Sequence, residues 1–139
     1  MKNCEMILAG FGGQGILFTG KILAFAAMLK EKKLSWLPSY GPEMRGGTAN
    51  CHVIIDDEPI GSPIVTRPNI LVAMNKPSLD KFENTVSDGG YVFIDTSLID
   101  RRAEREDVNE ICVNATETAH NIGNYARCCV KENGIVYNR

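Results

Sequence analysis

The first candidate for chemistry is a run of glycines that follows a short apolar segment near the start of the chain. Met6-Ile7-Leu8-Ala9 leads directly into Gly10-Phe11-Gly12-Gly13-Gln14-Gly15. Glycine allows a tight turn and a close ligand approach, and a turn that opens a helix presents amide N–H groups to a phosphate or carboxylate. The glycines at 10, 12 and 15 also fit the G-x-G-x-x-G spacing of dinucleotide sites. The segment predicts a strand, a glycine turn and the start of a helix.

Each nucleotide interpretation of this turn lacks a second residue that it requires. A dinucleotide site needs an acidic residue about twenty positions later to hold the ribose hydroxyls. Residues 34–40 contain none, and Glu31 is interpreted as part of a solvated, charged helix exit. A Walker loop built on Gly15, Gly20 and Lys21 would have Ile22 where a Mg²⁺-binding Ser or Thr is required. A free-standing nucleotide- or flavin-binding module stays open as an alternative function, as does a non-catalytic scaffold whose glycines serve packing alone.

The second candidate is a loop that concentrates polar and backbone-breaking residues. Residues 38–49 read PSYGPEMRGGTA, which is too rich in Pro and Gly for a helix. Glu43 and Arg45 supply opposite charges, and Gly46 and Gly47 allow close backbone approach. Binding groups concentrate on such connecting loops. The alternative interpretation is an internal Glu43–Arg45 ion pair that shapes the loop, and the two roles are compatible.

Cysteines and histidines give no sign of a metal centre or of a catalytic set on this chain. Metal and cluster sites are expected to show closely spaced ligands such as C-x-x-C. The chain has no such pair, and we expect free thiols in a reducing compartment. His52 falls on a predicted strand, where we expect neighbouring groups to satisfy it. The cysteines are Cys4, Cys51, Cys112, Cys128 and Cys129.

Strand and helix signals alternate along the chain, which predicts an α/β fold. We expect a single three-layer domain with a mainly parallel sheet and a Rossmann-like glycine loop after strand one. Helical spacing over residues 16–29 predicts a first helix that packs its small-residue face, with Gly20, Ala24 and Ala27, against the sheet. Met28 is assigned to the same face. Strands are predicted at 4–9, 34–37, 49–55, 70–73, 91–94 and 111–113, and further helices at 78–85 and from about 116.

Length and charge exclude several classes of function. A chain of 139 residues fits one domain, and a net charge of −2 argues against a nucleic-acid partner. The longest apolar stretch, residues 16–29, is interrupted by polar residues and is too short to span a bilayer. No secretory leader is recognised, so we expect a cytoplasmic protein without membrane contact.

Together, the two motifs resemble the gamma subunit of the 2-oxoacid:ferredoxin oxidoreductases, equivalent to one domain of the single-chain pyruvate:ferredoxin enzymes. The resemblance rests on GFGGQG at 10–15, PSYGPEMRGG at 38–47, TANCHVIID at 48–56 and IGSPIVTRPNILVAMNKPSLDKF at 60–82. It implies a subunit of a complex that decarboxylates a 2-oxoacid, forms an acyl-coenzyme A and reduces ferredoxin. The form of the second motif favours the 2-oxoglutarate or branched-chain type, with 2-oxoglutarate preferred.

The resemblance also implies a division of labour within that complex. Thiamine diphosphate, Mg and the iron–sulfur clusters would be held by partner chains, coenzyme A would be a co-substrate, and this chain would hold no cofactor and be inactive alone. Residues from about 120 onward depart from the family, which indicates an atypical or truncated C-terminus and a strip of sheet or interface without its cover. The residues expected to line the substrate or coenzyme A region are Gly12, Gly13, Gln14, Gly15, Ser39, Tyr40, Glu43, Arg45, Gly46 and Gly47.

Overall fold

The computed structural model describes residues 3–39 and 49–122, which form one six-stranded sheet with helices on both faces. Most predicted elements are confirmed, and several strands extend one or two residues further than predicted. The order is β1 (Cys4–Gly10), α1 (Ile16–Leu29), β2 (Lys33–Ser39), β3 (Ala49–Asp56), β4 (Ile70–Ala73), α2 (Lys76–Phe82) followed by a 3₁₀ turn (Glu83–Thr85), β5 (Tyr91–Asp95), β6 (Asn109–Val113) and α3 (Ala115–Ile122).

The sheet is mostly parallel, as predicted, with one strand reversed. Its order is β2-β3-β1-β4-β5-β6, and β3 runs antiparallel to both of its neighbours. The pairs β1–β4, β4–β5 and β5–β6 are parallel. Since β2 ends at Ser39 and β3 begins at Ala49, the connection is too short for a crossover of about a dozen residues, and an antiparallel return results. The reversed strand separates β1 from β2, which a Rossmann sheet places side by side.

Strand β1 lies at the centre of the core and is buried on both faces. Met6 and Leu8 pack with Ile16 and Val53 on the α1 side, whereas Ile7 packs with Leu79 on the α2 side. Alternate residues of a strand point to opposite faces, so a strand covered on both sides reads as a continuous apolar run. The uninterrupted run at residues 6–9 is explained by this burial.

Helix α1 packs its small residues on the sheet, as the spacing predicts. Gly20, Ala24 and Ala27 are buried. A Cβ on Gly20 would stand 2.5 Å from the Cys51 Sγ and 2.9 Å from the Trp36 Nε1, so only glycine fits at this crossing. The assignment of Met28 to the buried face is wrong, because its side chain is 53 % exposed.

The two later helices begin at polar side chains that hold their first turns. Asn75 Oδ1 accepts the Ser78 amide N–H at 2.9 Å, so α2 begins two residues earlier than the predicted position 78. Buried Asp95 accepts the Ala115 amide N–H at 3.1 Å and fixes the start of α3. None of the helices that the structure describes is long and apolar enough to cross a membrane.

An apolar groove lies on the α1 side of the sheet, beside the start of α3. It encloses about 320 Å³ and is open to one side. The described residues leave this strip of β4 and β5 without a covering helix. Its lining residues are Met6, Ile70, Val72, Met74, Phe93, Ile94, Asp95, Val113 and Ala115.

Candidate functional site

The turn between β1 and α1 has the backbone geometry that its glycines permit. Gly13 and Gly15 adopt φ angles of 97° and 75°, in the region that side chains disfavour. The Gln14 amide N–H donates to the Phe11 carbonyl at 3.2 Å and closes the turn. Within the described residues, no acceptor satisfies the amide N–H groups of Gly12 and Gly13. The turn therefore presents free backbone donors at the N-terminal end of α1, where an anion is favoured.

Gln14 holds this turn in place from the inside. Its side chain is buried, the Oε1 accepts the Phe11 amide N–H at 2.5 Å, and the Nε2 donates to the Met74 carbonyl at 3.0 Å. A Cβ on Gly10 would stand 2.6 Å from that Oε1. Gly10 and Gln14 therefore act together, because the missing side chain of one makes room for the amide of the other. Gln14 ties the turn to the end of β4.

The two sequence motifs leave the sheet at the same edge. Asn50 of β3 is in register with Ala9 of β1 on one side and with Ser39 of β2 on the other. Neighbouring strands are about 4.8 Å apart, so the ends of β1 and β2 are separated by roughly 10 Å. Ser39 is half-buried as the last residue of β2. The other predicted residues of this loop, Tyr40, Glu43, Arg45, Gly46 and Gly47, lie outside the described residues.

Three buried polar side chains at this edge were missed by the sequence analysis. Within the described residues, Asn50 Oδ1, Asn75 Nδ2 and Ser78 Oγ have no hydrogen-bond partner. Asn75 follows β4, and the Met74 amide N–H donates to the Ala9 carbonyl at 2.9 Å, which places Asn75 beside the end of β1. The available signal was the position of Asn50 and Asn75 beside strand ends, whereas Ser78 lies in the first turn of α2. Amides and a hydroxyl can orient a ligand or a water, but they provide no acid–base group.

The titratable groups nearest to this edge on β3 are structural. His52 Nδ1 accepts the Val65 amide N–H at 2.9 Å, and burial lowers the pKa of His52. The Cys51 Sγ donates to the Ile16 carbonyl, and burial raises the pKa of this thiol to about 11, although the Trp36 indole N–H offsets part of the effect. Both side chains are neutral at physiological pH. The expectation that neighbouring groups satisfy His52 is confirmed.

The described residues also do not fit a resident metal ion or cluster. In residues 3–39 and 49–122, no three His, Cys, Asp or Glu side chains come together as a candidate ligand set. Cys4, Cys51 and Cys112 are free thiols at separate positions. Cys128 and Cys129 lie outside the described residues. What this edge offers is backbone donors and uncharged polar side chains, which suit binding and positioning.

Comparison with known proteins identifies the family. The sequence profile of the family described as pyruvate ferredoxin/flavodoxin oxidoreductase matches residues 5–136. The chain belongs to this family. The resemblance inferred from the glycine turn and the second loop is thereby confirmed at the level of the pyruvate ferredoxin/flavodoxin oxidoreductases.

Relatives in this oxidoreductase family differ in length, and their names refer to different substrates. The chain is 48 % identical over 122 residues to the ketoisovalerate oxidoreductase subunit VorA of Methanothermobacter marburgensis, covering 88 % of this chain and 25 % of the relative. It is 45 % identical over 96 residues to the 2-oxoglutarate synthase subunit KorC of Methanocaldococcus jannaschii, covering 68 % and 51 %. The chain thus spans a quarter of one relative and about half of the other.

A solved structure supports the same fold assignment. The crystal structure of a keto/oxoacid ferredoxin oxidoreductase gamma subunit from Geobacter sulfurreducens superimposes with a TM-score of 0.76 at 30 % identity. The superposition covers 88 % of this chain and 66 % of that one. The α/β architecture described above is therefore similar to that of this gamma subunit over the superimposed region.

Proposed function

We propose that this chain is the gamma-type component of a 2-oxoacid:ferredoxin oxidoreductase. The complex would convert a 2-oxoacid and coenzyme A into an acyl-coenzyme A and CO₂, and would pass the two electrons released to ferredoxin. The observation that carries the proposal is the family match over residues 5–136. The arrangement of the sheet edge supports it, because two motif-bearing loops leave β1 and β2 about 10 Å apart.

In this proposal, the chain builds part of the wall of an active centre and its partners supply the reactive groups. Thiamine diphosphate, Mg and the iron–sulfur clusters are assigned to partner chains. The free thiols of Cys4, Cys51 and Cys112 suit a reducing cytoplasm. No step of the chemistry is assigned to a side chain of this protein.

For the substrate, ketoisovalerate becomes the first candidate and 2-oxoglutarate the second. The sequence motifs favoured 2-oxoglutarate, and a relative of that name is 45 % identical over 96 residues. The match to the ketoisovalerate relative is longer and closer, at 48 % over 122 residues. Initial rates of the assembled complex with the two oxoacids at equal concentration decide between them.

We infer that the anionic part of coenzyme A or of the oxoacid is bound where the two loops meet. The free amide N–H groups of Gly12 and Gly13 and the guanidinium of Arg45 would donate charge-assisted hydrogen bonds to a phosphate or carboxylate. Gln14 and Gly15 would shape the turn, and the remaining residues, Ser39, Tyr40, Glu43, Gly46 and Gly47, would line the adjoining surface.

The test of this contact is Arg45→Ala in the assembled complex, with Arg67→Ala as the control. The Arg67 side chain forms a solvent-exposed ion pair with Asp88. Loss of a charge-assisted bond is expected to raise the KM for coenzyme A or the oxoacid by roughly tenfold or more. The control is expected to leave both constants unchanged. If Arg45→Ala also leaves KM and kcat for both substrates unchanged, this contact does not exist.

The second candidate function is a free-standing nucleotide- or flavin-binding module. Only the spacing of the glycines and the unpaired amide N–H groups of the turn favour it. Calorimetric titration of the purified chain with ATP, NAD, FMN and coenzyme A distinguishes the two. Tight binding of a nucleotide or flavin by the isolated chain would support the module, whereas the subunit proposal predicts none.

A further inference from the structure

Helix α1 exposes large apolar side chains on the side that faces away from the sheet, where an ordinary surface helix has polar residues. Its sheet side is already occupied by Ile16, Gly20, Ala24 and Ala27, which are buried, and by Leu17 and Leu23, which pack against the core. Half a turn away, four large side chains face outward, each between 51 % and 70 % exposed. They are Phe18, Ile22, Phe25 and Leu29. We call these four residues the outer stripe.

The composition of α1 points to burial on both sides. Lys21 is the one charged residue among its fourteen. A surface helix normally places charged and polar residues opposite its buried face, and a helix that is apolar all round is normally buried all round. Isolated exposed apolar residues are common, but four aligned on one face form a patch of the kind found at protein interfaces. The outer stripe therefore indicates a covering surface.

The spacing of the outer stripe specifies the shape of that surface. Its residues are separated by four, three and four positions, which is the repeat of a helix–helix seam. From Phe18 to Leu29 the stripe runs for roughly 16 Å, or three turns. Large side chains at this spacing pack between the side chains of a facing helix, whereas a flat polar surface would leave their apolar area poorly packed.

The nature of the partner follows from the length of the relatives. In the ketoisovalerate relative, the region matched by this chain is a quarter of one longer polypeptide. The remaining three quarters of that polypeptide supply a covalently joined partner for the matched region. The apolar groove beside α3 lies on the same side of the sheet as α1, which extends the apolar area on this side.

We propose that the outer stripe of α1 docks on an apolar helix of the larger oxidoreductase chains that hold the thiamine diphosphate and the clusters. This docking rests on the proposed function, because it takes its partner from the oxidoreductase complex. A second copy of this chain is the competing occupant, and the experiment below separates the two.

The experiment uses the tagged full-length chain produced together with the other oxidoreductase subunits of its own organism. The test variant carries Ile22→Gln and Phe25→Gln. The matched control is Ile64→Gln, since Ile64 is 58 % exposed and its neighbour Val65 packs in the core on the α2 side. The readouts are the amount of partner subunit retained on the tag, the thermal midpoint of the isolated chain, and its mass by sedimentation.

The expected result is a loss of retained partner of roughly tenfold or more for the test variant and none for the control. The thermal midpoint should stay within a few degrees of the wild type, because exposed positions contribute little to stability. If the double variant does not fold, Ile22→Gln and Phe25→Gln are assayed singly by the same criteria.

Two results overturn the docking while leaving the proposed function intact. One is full retention of the partner by the folded variant. The other is a wild-type dimer of this chain that the variant loses while it still retains the partner, which would assign the outer stripe to a second copy. If the wild-type chain retains no partner at all, the proposed function itself fails.

Discussion

At the scale of single residues, the glycine turn depends on Gly10, whose lack of a side chain leaves space for the buried side-chain amide of Gln14. Gly10 has an ordinary φ angle, and its role is space. The Gln14 Oε1 would stand 2.6 Å, and the Met74 Cβ 2.9 Å, from a Cβ placed on Gly10. The glycines of the turn therefore have different functions: Gly10 makes room for Gln14, whereas Gly13 and Gly15 supply positive φ angles.

We predict that Gly10→Ala destabilises the chain, whereas Gly61→Ala does not. Overpacking of this kind costs about 1–3 kcal/mol, since Gln14 must leave its two hydrogen bonds or the strand must shift. A Cβ on Gly61 would meet no atom within 4 Å. Urea unfolding of the two variants measures the difference, and equal midpoints would show that the space at Gly10 is not needed.

His52 gives a prediction about pH. Burial lowers the pKa of His52 in the folded chain, and its Nδ1 accepts the Val65 amide N–H. Below its ordinary pKa of about 6.5, the unfolded state binds a proton that the folded state resists. Stability should therefore fall as the pH is lowered from about 7 to 5. His52→Asn keeps a hydrogen-bond acceptor but does not titrate, so it should reduce this loss of stability. Thermal midpoints of the wild type and the variant between pH 7 and 5 measure the effect. If the midpoint of the variant falls as steeply with pH as that of the wild type, His52 is not the group responsible.

At the scale of elements, the segment before β6 is held on α2 by charge. Glu83 is buried, Arg101 donates to its Oε2 at 2.9 Å, and the Glu104 amide N–H donates to its Oε1. Arg101 also pairs with Asp80 on α2. One guanidinium thus joins α2, the 3₁₀ turn and the connection between β5 and β6.

We predict that Arg101→Met destabilises the fold by roughly 3 kcal/mol, because it leaves the Glu83 carboxylate buried without its cation. Arg67→Met is the control, since the Arg67–Asp88 pair is exposed and such pairs contribute at most about 1 kcal/mol. Chemical denaturation measures both. A loss of equal size in the two variants would mean that burial of Glu83 does not decide the effect.

Local patterns predict most elements, but not the direction of β3 or the start of α2. Helix α1 has the predicted bounds because its apolar spacing is continuous from Ile16 to Leu29. The reversal of β3 depends on the length of the connection after Ser39, which alternation of side chains does not encode. The earlier start of α2 comes from the Asn75 cap, a single side chain next to a strand. The sequence analysis did not identify the outer stripe because α1 has apolar residues on both faces. Helical periodicity then does not distinguish the exposed face from the face that packs on the sheet.

The sequence predicts the two loops of the candidate site but not its buried polar side chains. Glycine turns and breaker-rich loops are visible in sequence, and both motifs follow strands that end at one edge. Asn50, Asn75 and Ser78 were missed because an uncharged polar residue in an apolar context carries no distinctive pattern. Their significance depends on burial and on the lack of a partner within the described residues, which only the fold shows.

At the scale of the whole molecule, the described residues form one folded unit, and the proposed function assigns its exposed features to assembly. It has a core on each side of β1 and an apolar outer stripe on α1, and the amide N–H groups of Gly12 and Gly13 have no acceptor among the described residues. It belongs to an oxidoreductase family, yet its described residues provide no ligand set for a metal ion. In the proposed function, activity is a property of the complex and not of this chain alone.

An omission assay tests this central claim most directly. Oxoacid- and coenzyme A-dependent reduction of ferredoxin is measured for the complete complex, for the partner subunits without this chain, and for this chain alone. The account predicts reduction by the complete complex, a large loss when this chain is omitted, and none by the chain alone. Oxoacid-dependent reduction by the isolated chain, or full activity of the partners without it, would contradict the account.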